Sequence, residues 1–203
     1  MKKRVLVVDL DGTLFTINTF HYFIKYLIIY SIKNFKFILL FKLCLAIASR
    51  LFATHAKMKY FILKLLKNRV DIDYENFITT IAVKKRYIPE VYDKNFDIKI
   101  LATGAPSCYA NVIAKNEQFN ICLGTDFPNS TFDPLFENMK AVKKENVMNC
   151  LKVENINEID TLITDHIDDL PLIKLAKRNI IVEPNEELIS ILKQNSIFFE
   201  VIP

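Results

Sequence analysis

Two aspartates two residues apart, Asp9 and Asp11, follow directly on a short apolar run, Val5-Leu6-Val7-Val8, and precede Gly12. Strand alternation puts both carboxylates on one side, beyond the carboxyl end of a buried β-branched strand. Open α/β sheets bind their ligands at that edge. Two acids so close repel each other and raise a pKa unless a cation lies between them. Mg2+, a hard oxygen-seeking ion, resolves that conflict. One acid can then attack as a nucleophile while the other moves protons. Asp and Gly are also ordinary turn residues, so the reading depends on partners elsewhere in the chain.

Three further stretches supply candidates. Thr103-Gly104 ends a second apolar run just before a predicted helix, and a hydroxyl with backbone N–H groups there cradles phosphate oxygens. At the start of another predicted helix stand Lys140, Lys143 and Lys144, any of which would neutralise phosphate charge. Helical spacing from Val147, Met148 and Leu151 favours Lys144. The run Leu162-Ile163-Thr164 delivers Asp165, with Asp168 and Asp169 close behind. Asp165 completes an oxygen shell for a metal, and Asp169 supports it through water or a hydrogen bond. An acidic helix cap explains Asp168 and Asp169 but not Asp165.

These residues need elements to hold them. Between Leu14 and Pro89 there is neither glycine nor proline, and the Leu-, Ile-, Phe- and Lys-rich stretch predicts helices over 19–31, 34–53, 55–68 and 74–86. After it the pattern alternates: strands over 97–102, 121–124, 161–164, 180–182 and 197–202, with helices over 106–115, 140–151, 170–177 and 186–194. Strand–helix alternation argues for a mainly parallel sheet sandwiched by helices.

The 203 residues suffice for one domain carrying a sizeable insertion. The four cysteines are scattered without a CxxC pair, which argues against zinc and for reduced thiols in a cytoplasmic setting. Asp9 and Asp11 interrupt the first apolar run too early for a signal segment. A net charge of +4 is too mild to imply nucleic acid, and none is expected as a partner.

In this order and at these strand ends, the four stretches resemble the haloacid dehalogenase superfamily of phosphohydrolases. Asp9-Leu10-Asp11-Gly12-Thr13 matches its DxDGT signature, Thr103 its second-motif hydroxyl, and 165–169 its fourth-motif acids. The run from Asp165 to Leu172 and the later Val182-Glu183-Pro184-Asn185 are similar to the phosphoserine-phosphatase-like branch, although Thr164 and His166 replace small residues and Ala141 a glycine. The resemblance implies a Rossmann-like core over 1–15 and 95–203, with a helical cap over 16–94. It implies Asp9 as nucleophile and Asp11 as acid–base partner. Thr103, Gly104 and Lys144 would hold the phosphoryl oxygens. Mg2+ would be held by Asp9, Asp165 and the Asp11 backbone carbonyl, with Asp169 in support.

The helical stretch has an unusual charge pattern, with no acid between Asp11 and Asp71 but ten lysines and arginines, from Lys25 to Arg69, among many aromatics. The lysines break every run long enough to span a bilayer. A basic, apolar-faced helix pair is what an element lying on a membrane looks like, peripheral at the inner face; the alternative is a helical layer packed on itself with solvated lysines. The stretch is similar to cap segments of phosphatidylglycerophosphate phosphatases, which implies a lipid or prenyl phosphate as substrate. The alternatives are a soluble small-metabolite phosphatase and a binding or regulatory protein whose chemistry is lost.

Overall fold

The computed structural model describes residues 3–203. Among them six strands form one sheet: β1 (Val5–Val8), β2 (Ile98–Pro106), β3 (Ile121–Thr125), β4 (Ile159–Thr164), β5 (Ala176–Val182) and β6 (Glu200–Ile202). Every neighbouring pair is parallel, in the order β3-β2-β1-β4-β5-β6. The chain builds outward from β1 to β3, then returns to β1's other side with β4. That reversal opens a crevice at the carboxyl ends of β1 and β4, the place where such sheets bind ligands.

Five helices lie in sequence between β1 and β2: α1 (Thr19–Lys33), α2 (Phe37–Ala48), α3 (His55–Leu66), α4 (Tyr74–Ile81) and the single turn α5 (Pro89–Tyr92). The later crossovers carry α6 (Ser107–Asn116), α7 (Lys140–Val153), the short α8 (Leu170–Ile173) and α9 (Glu186–Gln194). Side-chain caps set four helix starts: Asn18, Thr54, Asp73 and Asn185 each accept a bond from a backbone N–H in the first turn.

Both faces of β1 are covered, and its four residues are fully buried. Leu6 and Val8 join the core beneath α1, α4 and α6, while Val5 and Val7 join the one beneath α7, α8 and α9. The first core runs without a break from the sheet into the inserted helices. Phe23 of α1, Phe77 of α4 and Tyr109 of α6 meet there, with ring centroids 4.9 to 5.1 Å apart.

The structure departs from the sequence reading at several boundaries. Helix 74–86 ends at Ile81, because the backbone beyond a 3-10 turn bonds to the first loop: Thr16 N–H donates to Lys84 O and Arg86 N–H to Leu14 O. Helix 170–177 stops at Ile173, since Ala176 already pairs with Ile159 in the sheet. The last strand begins at Glu200, not 197, as Ile197 N–H closes α9 on Leu192 O. β2 runs on to Pro106 rather than stopping at 102, and Thr103 and Gly104 lie within its carboxyl end.

Candidate active site

The carboxyl ends of β1 and β4 meet through the Asp9 N–H, which donates to Ile163 O at 2.9 Å. Beyond Asp9 the chain turns at Gly12, whose φ of +80° lies in the left-handed region. A Cβ at Gly12 would run into the Asp165 carboxylate, so the backbone angle demands glycine and any side chain would push Asp165 aside. Gly12→Ala is therefore expected to destabilise the fold by about 1–3 kcal/mol, through strain and displacement of Asp165, as urea unfolding would measure.

Each acid has a distinct environment. Asp11 Oδ1 accepts from the Thr19 N–H at 2.8 Å and its hydroxyl at 2.6 Å. That hydroxyl lies 3.0 Å from the Tyr109 hydroxyl. With the Thr19 proton given to Asp11, Tyr109 is the donor in this pair. Asp165 accepts from the Thr13 hydroxyl at 2.8 Å. Asp169 is buried and accepts from the Thr164 hydroxyl at 2.7 Å, which gives the threonine in place of a small residue a structural task. His166 Nδ1 accepts from the Asp168 N–H at 3.2 Å and so acts as a turn residue.

The lysine at the centre is Lys143. Its ammonium donates to Asp9 Oδ1 at 2.7 Å and to Asp169 Oδ2 at 2.9 Å. This corrects the expectation of Lys144. The buried stripe of α7 is Lys143, Val147 and Leu151, spaced i, i+4, i+8, whereas Met148 is only half-buried and Lys144 lies beside it. Lys140 faces outward, 3.7 Å from Asp168.

Thr103 is buried, and its Oγ1 accepts from the Ala105 N–H at 3.0 Å. Gly104 O accepts from the Thr125 hydroxyl at 2.8 Å and from Lys59 Nζ at 3.0 Å. Lys59 reaches in from α3 and also pairs with Glu137. A cavity of ≈ 510 Å³ joins these groups, with Asp9, Asp11, Thr103, Lys143 and Asp165 on one wall and His21, His55 and Lys59 on another. The charge pattern of the helical stretch does not single out Lys59 from its solvated neighbours. Its signal is nevertheless present, for Lys59, Ile62, Leu63 and Leu66 share one apolar stripe.

The carboxylates outnumber the cations that meet them. Burial chiefly pushes the Asp9 carboxyl up to about 8; Lys143 pulls it down, and Asp169 and Asp165 push it further up. Burial likewise raises Asp11 and Asp165. Burial alone would lower the Lys143 value, but Asp169 and Asp9 outweigh it and keep the ammonium charged.

Mg2+ can be tested against this donor set. Among the described residues no three His, Cys, Asp or Glu side chains converge to hold a metal by themselves. The side chain of Asp11 is engaged by Thr19 and that of Asp169 by Thr164 and Lys143, which leaves Asp11 its backbone carbonyl and Asp169 a supporting place beside the ion. Asp9 and Asp165 remain, under-compensated and oxygen-bearing. Two carboxylates with water completing the shell fit a hard cation that keeps much of its hydration.

Asp9 also makes the stability of the fold depend on pH. With burial raising the Asp9 carboxyl to about 8, folding of the metal-free chain is expected to take up a proton between pH 3.8 and that value. Its stability should therefore fall as pH rises through that window. Added Mg2+ should raise the melting temperature more at pH 8 than at pH 5, and EDTA should abolish the difference.

No protein-family model matches the chain, and neither does any curated protein. Solved structures do. A protein of unknown function from Bordetella pertussis Tohama I superposes with a TM-score of 0.78 at 17% identity, covering 100% of this chain and 99% of that one. A HAD family hydrolase from Salmonella enterica serovar Typhi gives 0.61 at 11% identity, over 99% of this chain and 67% of that one. A phosphoserine phosphatase in a phospho-aspartyl intermediate analogue form gives 0.59 at 15%, over 98% and 94%. The chain has the haloacid dehalogenase-like fold. Within that fold Asp9, Thr103 and Asp165 stand at the ends of three adjacent strands, β1, β2 and β4, at the crevice.

Proposed function

We propose that the protein is a Mg2+-dependent phosphomonoester hydrolase that works through an aspartyl-phosphate on Asp9, with segment 16–94 as its cap. The observation that carries this reading is the buried Asp9 carboxylate, held at 2.7 Å by the Lys143 ammonium in the crevice of a haloacid dehalogenase-like sheet. An Asp9 oxygen attacks phosphorus as the bond to the leaving oxygen breaks. Asp11, raised by burial and oriented by Thr19, gives its proton to that oxygen. As a carboxylate it then takes a proton from the water that attacks the phosphoryl group, freeing phosphate and restoring Asp9. The Thr103 hydroxyl, the Gly104 N–H and Lys143 hold the phosphoryl oxygens. Mg2+ held by Asp9 and Asp165 would supply neutralising charge.

The second wall bears on substrate. Lys59, His21 and His55 line it, and burial first, then Lys59, lowers the His55 value. A substrate ammonium, as in phosphoserine, meets a cation there, whereas hydroxyls or a further anionic group find donors. The substrate class we favour is a lipid or prenyl phosphate, supported by the exposed apolar face of α2. A soluble metabolite phosphate is the rival. The test is Mg2+-dependent phosphate release from an aryl phosphate, followed by a screen of lipid, prenyl and soluble phosphates. No turnover of any of them would leave a binding protein on this fold.

A further inference from the structure

α2 has the sequence FILLFKLCLAIA, apolar nearly all round, yet only Leu39, Leu43 and Ala46 are buried. The other stripe, Ile38, Phe41 and Leu45 at i, i+3, i+7, is 75%, 65% and 56% exposed. Phe35 at 78% and Phe37 at 62% extend it around the α1–α2 turn. Single exposed apolar side chains need no explanation, but a continuous stripe marks an interaction surface.

Three observations say what meets this face. The first is charge. Lys36, Lys42 and Arg69 border the stripe, and no acid occurs in the sequence between Asp11 and Asp71. Asp71 is engaged by Tyr30 and Arg69, with Lys36 at 3.7 Å. Two copies of this face would bring like charges together, so self-association is disfavoured and an anionic partner is favoured. The second is shape. A hollow of ≈ 380 Å³ is bordered by Phe35, Phe37, Ile38, Lys36, Lys42 and Arg69. It sets cationic heads beside apolar walls, as an anionic headgroup above acyl chains requires. At 12 residues α2 is about 18 Å long, too short to cross a bilayer and suited to lying in its interface.

The third is backbone strain. Phe35 has a φ of +54° where the chain leaves α1, and Phe35 N–H and Lys36 N–H bond back to Ile32 O and Ser31 O. This is a helix-ending position that glycine fills at least strain. Here an aromatic takes it and is held out in solvent. Its ring meets Phe37 edge-on, with centroids 6.1 Å apart, and extends the exposed aromatic face.

We infer that the α1–α2 end of the helical insert docks on an anionic phospholipid surface, with Phe35, Phe37, Ile38 and Phe41 entering the interface. Docking needs no turnover, so it stands apart from the phosphatase reading. The test is co-sedimentation of the full chain with phosphatidylglycerol–phosphatidylcholine vesicles and with pure phosphatidylcholine vesicles, at low and high salt. The chain should pellet with the anionic vesicles, less so at high salt. The exposed-site variants Ile38→Glu and Phe41→Glu should bind at least about tenfold more weakly. Phe35→Gly is the sharpest probe: it should melt no lower than the parent, yet bind less. Aryl phosphate turnover, if present in the parent, should be unchanged in all three. Failure to pellet, undiminished pelleting of the variants, or a dimer in sizing runs that the variants break would each overturn the inference.

Discussion

Asp9→Asn should lower phosphate release from an aryl phosphate by about 10⁴-fold or more, because the amide lacks the nucleophilic oxygen. The same variant should keep its fold. The introduced amide oxygen can still accept from Lys143, and one buried carboxylate fewer competes for that ammonium. Its melting temperature without Mg2+ at pH 8 should equal or exceed that of the parent, since Asp9 carries the charge that burial disfavours. Loss of activity with retained or improved stability distinguishes a nucleophile from a structural acid. A variant keeping more than a small fraction of turnover would remove Asp9 from the mechanism.

Lys143→Met is the second large effect. It deletes the cation that Asp9 and Asp169 share, and their side chains are 10% and 3% exposed. Breaking a buried pair this way is expected to cost about 3–5 kcal/mol in denaturant unfolding. Turnover should collapse as well, with a hold on the phosphoryl group gone. Lys144→Met, one residue on and half-buried, should shift stability by no more than about 0.5 kcal/mol and leave turnover intact. If the two results were exchanged, Lys144 would regain the place that the sequence spacing suggested.

That pair of variants also shows where sequence reasoning stopped. The sheet was legible because its central strands are buried apolar runs, and two site acids follow them directly, Asp9 after Val8 and Asp165 after Thr164. On a helix a step of one residue turns the side chain by about 100°. Choosing between Lys143 and Lys144 therefore required knowing whether Val147 or Met148 faces the core. Val147 does, completely. The partners of Asp11 and Asp169 were hidden for another reason. Thr19 and Tyr109 are 90 residues apart and meet only once α1 packs on α6, and Lys143 reaches Asp9 across 134 residues. The charge pattern of the insert was plain in the sequence. Which of its lysines point inward was decided by packing, and Lys59 is one of them.

Thr19 opens the first inserted helix, yet it supplies both hydrogen bonds to Asp11. The proposed proton carrier is thus fastened to the helical layer rather than to the sheet that presents Asp9. Any tilt of α1 against the sheet carries the Asp11 carboxylate with it, while Asp9, tied through its backbone to β4, stays where it is. On the proposed mechanism, the seating of α1 on the sheet therefore sets the aim of the acid.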